Sequence, residues 1–146
     1  MIIRDILTVK NGDKIYSIAP GQPVKEAIGV MVQNNIGSLV VKNDEGRMVG
    51  IFTERDVLRA LNKMGCSLEQ ARVEELMTRQ VIVGSPEDTV DYVRGVMTEN
   101  HIRHLPVMEG DKLLGVITFH DVAKACLSEN NFEIQLLKRY IRHWPE

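Results

Sequence analysis

Two stretches of the chain, GIFTERDV and GVITFHDV, repeat a hydroxyl and a carboxylate at the same spacing. Thr53 and Asp56 lie in the first stretch, and Thr118 and Asp121 lie in the second. A Thr followed three positions later by an acid, ahead of an apolar run, is typical of a capping box at the start of a helix. A helix N-terminus also binds phosphate, and an acceptor-only carboxylate suits a ribose diol. One geometry serves both purposes, so these residues alone leave capping and ligand binding open.

Other chemistry is poorly represented in the chain. It has no nucleophile with an adjacent base, no P-loop and no GxGxxG motif. The sequence therefore predicts no catalytic residue and no enzyme. His101 and His104 stand close together, but no Cys or carboxylate joins them at the spacing of a metal site. We expect no metal, and we interpret Cys66 and Cys126 as reduced structural thiols.

Length and composition are those of a soluble globular protein. The chain has 146 residues, of which 44% are hydrophobic and 26% charged. Its net charge of −2 exerts no general attraction on nucleic acid or on an anionic membrane. No apolar run approaches the ~20 residues of a membrane helix, and the first residues show no signal-peptide pattern. We expect a cytoplasmic protein that binds neither membranes nor nucleic acid.

The elements that position the two motifs are themselves duplicated. Pro20–Val41 aligns with residues 86–107 without a gap. IRDILT near the start of the chain likewise resembles VEELMT near its middle. This internal repeat predicts one module at residues 1–65, a second module at residues 66–127 and a tail at residues 128–146.

Each copy predicts the same order of elements. A short helical turn precedes a strand, KIYSI or QVIV, and apolar residues at helical spacing then predict an amphipathic helix. Two strands joined by a polar turn follow, SLVVK with MVGIF and HLPVM with LLGVI, and the repeated Thr begins a second helix. The predicted fold class is α/β (α+β): two β-α-β-β-α modules packed as a pseudo-twofold pair, with a C-terminal helix after them.

The tail, NNFEIQLLKRYIRHWPE, carries apolar residues at helical spacing and an Asn that suits a helix start. This pattern predicts the C-terminal helix. Two roles stay open for it: packing on its own protomer, or docking across a dimer or onto an effector protein.

In these motifs the chain resembles a tandem pair of CBS domains, the Bateman module, and especially the small stand-alone bacterial pairs. The resemblance rests on GIFTERDV, GVITFHDV, the helices ending at Met31 and Met97, and the HLPV strand. It covers nearly everything except the C-terminal tail. It implies a module that binds an adenosyl ligand, namely AMP, ADP, ATP, NAD(H) or S-adenosylmethionine, and that associates as a homodimer.

The resemblance further implies two ligand-binding clefts, each drawing residues from both copies. The first would contain Thr53, Arg55, Asp56, Val81, Ile102, Arg103 and His104. The second would contain Lys14, Ile15, Ile36, Gly37, Ser38, Thr118, His120 and Asp121. The apolar members would enclose the adenine, and backbone groups of the strands would read its edge.

The two implied clefts differ in their positive charge. The first gathers Arg55 and Arg103, whose guanidinium groups bind phosphate with charge-assisted hydrogen bonds. The second has Lys14 and His120 instead. We therefore predict that the first cleft is the better phosphate site. The opposing interpretation is that both arginines are solvated surface residues paired with nearby glutamates.

These observations predict a non-enzymatic regulatory sensor of adenine nucleotides, of the kind used in energy sensing. Ligand binding would signal by favouring one arrangement of modules or protomers. The main alternative is a ligand-independent dimerisation or scaffold protein whose repeated motifs only cap helices. Hydrolysis of a bound nucleotide ranks third, because no base or metal set is visible. An effector protein is expected as partner, although the sequence does not identify it.

Overall fold

The computed structural model describes residues 1–10 and 14–128. Along the chain, the helices and strands are α1 (Ile3–Val9), β1 (Ser17–Ile18), α2 (Val24–Asn34), β2 (Ser38–Lys42), β3 (Met48–Thr53), α3 (Glu54–Met64), a 3-10 helix (Gly65–Gln70), α4 (Val73–Leu76), α5 (Val90–Glu99), β4 (His104–Glu109), β5 (Lys112–Thr118) and α6 (Phe119–Ser128). The predicted order of helices and strands is confirmed in both copies except at QVIV. The C-terminal helix predicted for the tail lies outside the described residues, which end at Ser128.

The chain packs into two compact units. The first unit is Gly12–Ile82, and the second joins the N-terminal residues 1–11 to the chain from Val83 onward. The modules at residues 1–65 and 66–127 divide the chain by sequence similarity, whereas these units divide it by packing. The two divisions differ because each sequence copy contributes its opening helix, α1 or α4, to the unit of the other copy.

The first unit contains a three-stranded sheet in the order β1-β2-β3. β1 runs parallel to β2, and β2 and β3 form an antiparallel hairpin in which Ser38 lies opposite Thr53. Gly46 in the hairpin turn has a φ of +79°, which a residue with a Cβ adopts only at a cost. The hairpin therefore places the beginning of β2 beside the end of β3, where the first Thr–Asp motif begins.

The second unit contains the equivalent hairpin, β4-β5, in which His104 lies opposite Thr118. The strand expected at QVIV is wrong: only an isolated parallel bridge between Gly84 and Val107 forms. In the first unit, the N–H of Val40 donates to the carbonyl of Tyr16 at 3.1 Å. Pro106 occupies the position of Val40 in the second copy and has no N–H, so this bond of the ladder cannot form.

Each unit has its own apolar core, completed by a helix from the other sequence copy. Ile3 and Ile6 of α1 are buried in the second unit, and Val73 of α4 is buried in the first. The backbone contacts of the two helices match. The N–H of Ile3 donates to the Asp88 carbonyl at 2.9 Å, and that of Val73 donates to the Gln22 carbonyl at 2.9 Å.

The first long helix of each unit ends in the same way. Asn35 and His101 follow α2 and α5 with φ values of +51° and +54°, a conformation in which Asn and His are enriched among non-glycine residues. The next N–H, from Ile36 or Ile102, then donates to a carbonyl in the last turn of its helix at 3.0 Å. This reversal directs the chain into β2 or β4. Among residues 1–10 and 14–128, no helix has the length and apolar character needed to cross a bilayer.

Candidate functional site

The first Thr–Asp motif forms a capping box at the start of α3. The Thr53 hydroxyl accepts the N–H of Asp56 at 3.3 Å, and the Asp56 carboxylate accepts the N–H of Thr53 at 2.9 Å. The N–H of Glu54 donates to the carbonyl of Gly37 at 3.0 Å, which joins the helix start to the beginning of β2. The capping predicted from the sequence is therefore present in the first unit.

Asp56 has a second set of contacts beyond its own helix. Its Oδ1 atom accepts the hydroxyl of Thr78 at 3.0 Å, while Oδ2 accepts the groups of Thr53. The side chain is only 4% exposed, and the guanidinium of Arg59 lies 3.8 Å from Oδ1 with 68% of its own side chain exposed. Both oxygens of this buried carboxylate are therefore occupied by contacts inside the first unit.

The second Thr–Asp motif forms the corresponding turn at the start of α6. The N–H of Asp121 donates to the Thr118 hydroxyl at 3.1 Å, and Asp121 Oδ2 accepts the N–H of Thr118 at 2.8 Å. The N–H of Phe119 donates to the carbonyl of Arg103 at 2.8 Å, as Glu54 does to Gly37. The side chain of Asp121 is 18% exposed. This carboxylate is therefore more accessible than Asp56.

Asp121 is paired with a lysine from α1. The Lys10 ammonium donates to Asp121 Oδ2 at 2.8 Å and to the carbonyl of Val116 at 3.1 Å. In the first unit, the equivalent strand carbonyl, that of Ile51, accepts the backbone N–H of Thr78 at 2.8 Å. The lysine ammonium thus contacts the strand carbonyl and the aspartate whose equivalents Thr78 reaches with its N–H and its hydroxyl, although it bonds the other carboxylate oxygen.

The pKa of Asp121 reflects these contacts. Burial raises the pKa of this carboxyl, but the hydrogen bonds from Lys10 and Thr118 and the positive charge of Lys10 together lower it below its ordinary value. The carboxylate is consequently charged at neutral pH and can only accept hydrogen bonds.

The glycine that begins each motif lies beneath the exchanged segment, which is the opening helix of the other sequence copy with the residues just after it: residues 3–10 in the second unit and residues 73–78 in the first. A Cβ on Gly50 would lie 2.8 Å from both Met77 Sδ and the Thr78 carbonyl oxygen. A Cβ on Gly115 would lie 2.9 Å from Leu7 Cδ2. The repeated Gly, Thr and Asp therefore have a shared structural role: the Gly leaves room for the exchanged segment, and the Asp binds a donor from it.

The other residues predicted for the clefts fall in both units. Those in the first unit are Lys14, Ile15, Ile36, Gly37, Ser38, Arg55 and Val81, and those in the second unit are Ile102, Arg103, His104 and His120. Each predicted cleft thus combines residues of both units, whereas the contacts described above join each motif to the strand start of its own unit. The composition of the clefts remains a prediction.

Among these residues, the charged ones differ in their surroundings. Arg55 and His120 lie exposed in the first turns of α3 and α6, and Arg103 is exposed just before β4. Lys14 lies over the ring of Tyr16, with Nζ 5.4 Å from the ring centroid, a distance at which a cation is attracted to the ring. In the described part of the chain, no three His, Cys, Asp or Glu side chains are grouped to hold a metal ion.

Sequence reasoning missed two residues that contact the motif aspartates. Thr78 carried a signal, because it ends VEELMT, which repeats IRDILT, and its counterpart is Thr8. No sequence signal pointed to Lys10, because it follows Thr8 at the place where the two copies cease to align. An ammonium at the end of a long side chain reaches an acceptor that no sequence spacing identifies.

Comparison with known proteins places this geometry in a family. The family model of the CBS domain matches residues 3–63 and residues 73–128. The chain is 36% identical over 123 residues to the mitochondrial CBS domain-containing protein CBSX3 of Arabidopsis thaliana, a match that covers 82% of this chain and 60% of that protein. The chain therefore spans less than two thirds of that relative.

Solved structures are similar as well. The CBS-domain containing protein ATU1752 from Agrobacterium tumefaciens has 34% identity and a TM-score of 0.82, covering 86% of this chain and 92% of that one. The CBS domain pair of protein MJ0100, solved in complex with 5'-methylthioadenosine and S-adenosyl-L-methionine, has 27% identity and a TM-score of 0.74. That match covers 88% of this chain and 98% of the other.

Proposed function

Because this chain belongs to the CBS-domain family, with both repeats matched, we propose that it is a regulatory module that binds an adenosine-containing ligand. The solved CBS pair of MJ0100 holds two such ligands, and neither carries a phosphate. For this chain, the ligand class is AMP, ADP, ATP, NAD(H) or S-adenosylmethionine. The Thr–Asp turns are the proposed points of attachment.

The accessible carboxylate of Asp121 is the observation that carries this proposal. Its hydrogen bonds from the described residues reach Oδ2, and none reaches Oδ1. A ribose hydroxyl can therefore donate to Oδ1 without displacing a bond that holds the fold together. The start of α6, a ten-residue helix, adds a partial positive charge that favours an anionic group nearby.

Binding would regulate by changing the balance between arrangements of modules or protomers. A ligand shifts such a balance only through a difference in its affinity for the two arrangements. We propose that the chain acts as a homodimer in the cytoplasm, without catalysis of its own, and transmits the ligand's presence to an effector protein. The predicted preference of Arg55 and Arg103 for phosphate belongs to this proposal.

A thermal melt tests the proposal directly. We expect at least one of AMP, ADP, ATP, NAD, NADH and S-adenosylmethionine to stabilise the protein, by about 2.7 kcal/mol at 100 times its dissociation constant. Asp121→Ala is expected to reduce that stabilisation. A melting temperature unchanged by all six ligands at millimolar concentration contradicts the proposal, and conversion of the nucleotide during incubation contradicts the absence of catalysis.

The surroundings of Asp56 favour the alternative function, a scaffold that dimerises without ligand. Both oxygens of its buried carboxylate are used within the first unit, as a purely structural residue requires. A scaffold predicts a dimer of unchanged affinity with and without each nucleotide. Sedimentation at a series of protein concentrations, with and without the six ligands, separates the two functions.

A further inference from the structure

The two motif aspartates are bound by donors of different charge. Asp56 receives the neutral hydroxyl of Thr78, whereas Asp121 receives the ammonium of Lys10, each within 3.0 Å. The cation that pairs with Asp56 among the described residues, Arg59, lies 3.8 Å away on an exposed side chain, so water screens much of its effect. Asp121 and Lys10 are both less than one quarter exposed, at 18% and 23%. Among the described ion pairs, the Asp121 carboxylate is therefore compensated by a sheltered cation, whereas the Asp56 carboxylate is compensated by an exposed one.

This difference matters for the class of ligand. A ribose bonded to a carboxylate holds its 5' substituent within the ~8 Å over which charges interact at physiological ionic strength. An uncompensated carboxylate repels a phosphate at that range and attracts the sulfonium of S-adenosylmethionine. A carboxylate paired with an ammonium does neither strongly, yet it still accepts a hydroxyl.

We propose that Lys10 is a specificity-determining residue of the turn at Thr118 and Asp121, where it favours phosphate-bearing adenine nucleotides over S-adenosylmethionine. The inference rests on the proposed function and deepens it by naming the ligand class. It gives the second turn a phosphate preference of its own, beside the one that Arg55 and Arg103 predict for the first cleft.

The position of Lys10 is built into the fold of the second unit. It directly follows α1, whose Ile3 and Ile6 are buried in the core of that unit. Among the described residues, its ammonium donates to Asp121 Oδ2 and to the Val116 carbonyl. The charge is therefore delivered to Asp121 by the residue that follows α1. A ligand meets a carboxylate that is already paired with a cation.

Calorimetric titration of AMP, adenosine and S-adenosylmethionine tests this role. Lys10→Met keeps the length of the side chain and removes its charge, and Lys10→Arg keeps the charge. We expect Lys10→Met to lower the affinity for AMP by roughly tenfold relative to S-adenosylmethionine, with adenosine between them. Lys10→Arg is expected to restore most of the wild-type preference.

Arg4→Met is the matched control, because it removes a cation from the same helix at a surface ion pair with Glu87 and Glu109. We expect it to leave the ratio of AMP to S-adenosylmethionine affinity unchanged. A merely structural role for Lys10 would weaken all three ligands alike, and that result overturns the inference. An unchanged ratio in Lys10→Met, or a preference of the wild type for S-adenosylmethionine, overturns it as well. Failure of the wild type to bind any of the three contradicts the proposed function itself.

Discussion

At the scale of single residues, an aspartate that caps a helix is not thereby excluded from binding a ligand. Asp56 uses one oxygen for its cap and the other for Thr78, so each of its two oxygens already holds a bond of the fold. Asp121 completes the same cap and its ion pair with Oδ2 alone. The two turns differ in the donor. The Thr78 hydroxyl bonds Asp56 Oδ1, which the cap does not use, whereas the Lys10 ammonium bonds Asp121 Oδ2, which already accepts the cap N–H.

The lowered pKa of Asp121 predicts a pH dependence of stability. Its folded pKa lies below its unfolded value, so its contribution is fully present above the unfolded value, near 3.9. That contribution is lost as the pH falls through the folded pKa. We expect the difference in melting temperature between wild type and Asp121→Asn to be largest near pH 7 and to shrink below about pH 5.

Lys10→Met is the comparison that identifies the cause. Without the ammonium, the pKa of Asp121 rises toward its ordinary value, and the pH-dependent part of the difference becomes smaller. A difference between wild type and Asp121→Asn that stays constant from pH 7 to pH 3 contradicts the ion pair. Melting curves at constant ionic strength supply the measurement.

At the scale of elements, each β-hairpin packs against a segment that comes from the other sequence copy. Gly50 and Gly115 lie where an exchanged segment crosses the second strand of the hairpin. In the first unit the crossing is also bonded by the backbone, since Ile51 and Thr78 exchange two hydrogen bonds of 2.8 and 2.9 Å. The motif therefore joins three elements: a strand, the helix that follows it, and the exchanged segment.

The glycines predict a graded cost of adding a methyl group. In Gly50→Ala the new Cβ meets the backbone oxygen of Thr78, which is fixed by its pairing with Ile51, so we expect a loss of about 1–3 kcal/mol. Gly115→Ala meets only the end of the Leu7 side chain, which can rotate, and the loss is expected to be smaller.

Gly21→Ala is the control for this series, because nothing lies within 4 Å of the Cβ it would add. Urea denaturation of the three variants measures the free energy of unfolding. Equal stability of Gly50→Ala and Gly21→Ala would show that the exchanged segment does not press on β3.

At the scale of the whole molecule, the two repeats are not independent folding segments. The N-terminal helix belongs to the first copy by sequence and to the second unit by packing, and α4 shows the reverse. Neither copy alone contains all the residues of one core. Integrity of each unit therefore depends on a stretch of chain from the other repeat.

Paired core substitutions test which unit each opening helix stabilises. Ile3 and Val73 are both fully buried, in the second and the first unit respectively. Ile3→Ala is expected to cost about 2–5 kcal/mol and to speed amide hydrogen exchange in β4 and β5. Val73→Ala, with a smaller cavity, is expected to speed exchange in β2 and β3. Faster amide hydrogen exchange in β2 and β3 of Ile3→Ala, with β4 and β5 unaffected, would contradict the packing of α1 in the second unit.

Much of the fold was predictable because it depends on local patterns. Apolar residues at helical spacing predicted α2 and α5, and the alternation with polar turns predicted both hairpins, as the structure confirms. The strand at QVIV was predicted wrongly, because its partner strand carries Pro106 where the ladder needs an N–H. The residues of QVIV do not show that the partner strand lacks a backbone donor.

The sequence by itself determined the duplication, the two Thr–Asp turns and the family, because each of them depends on residue types at a regular spacing. Tertiary structure decided which unit each opening helix joins and, with it, which donor reaches each aspartate: the hydroxyl of Thr78 or the ammonium of Lys10. Those contacts connect positions far apart in the chain, through side chains whose reach depends on packing. Two turns of the same residue pattern thus differ in charge and in accessible oxygen atoms.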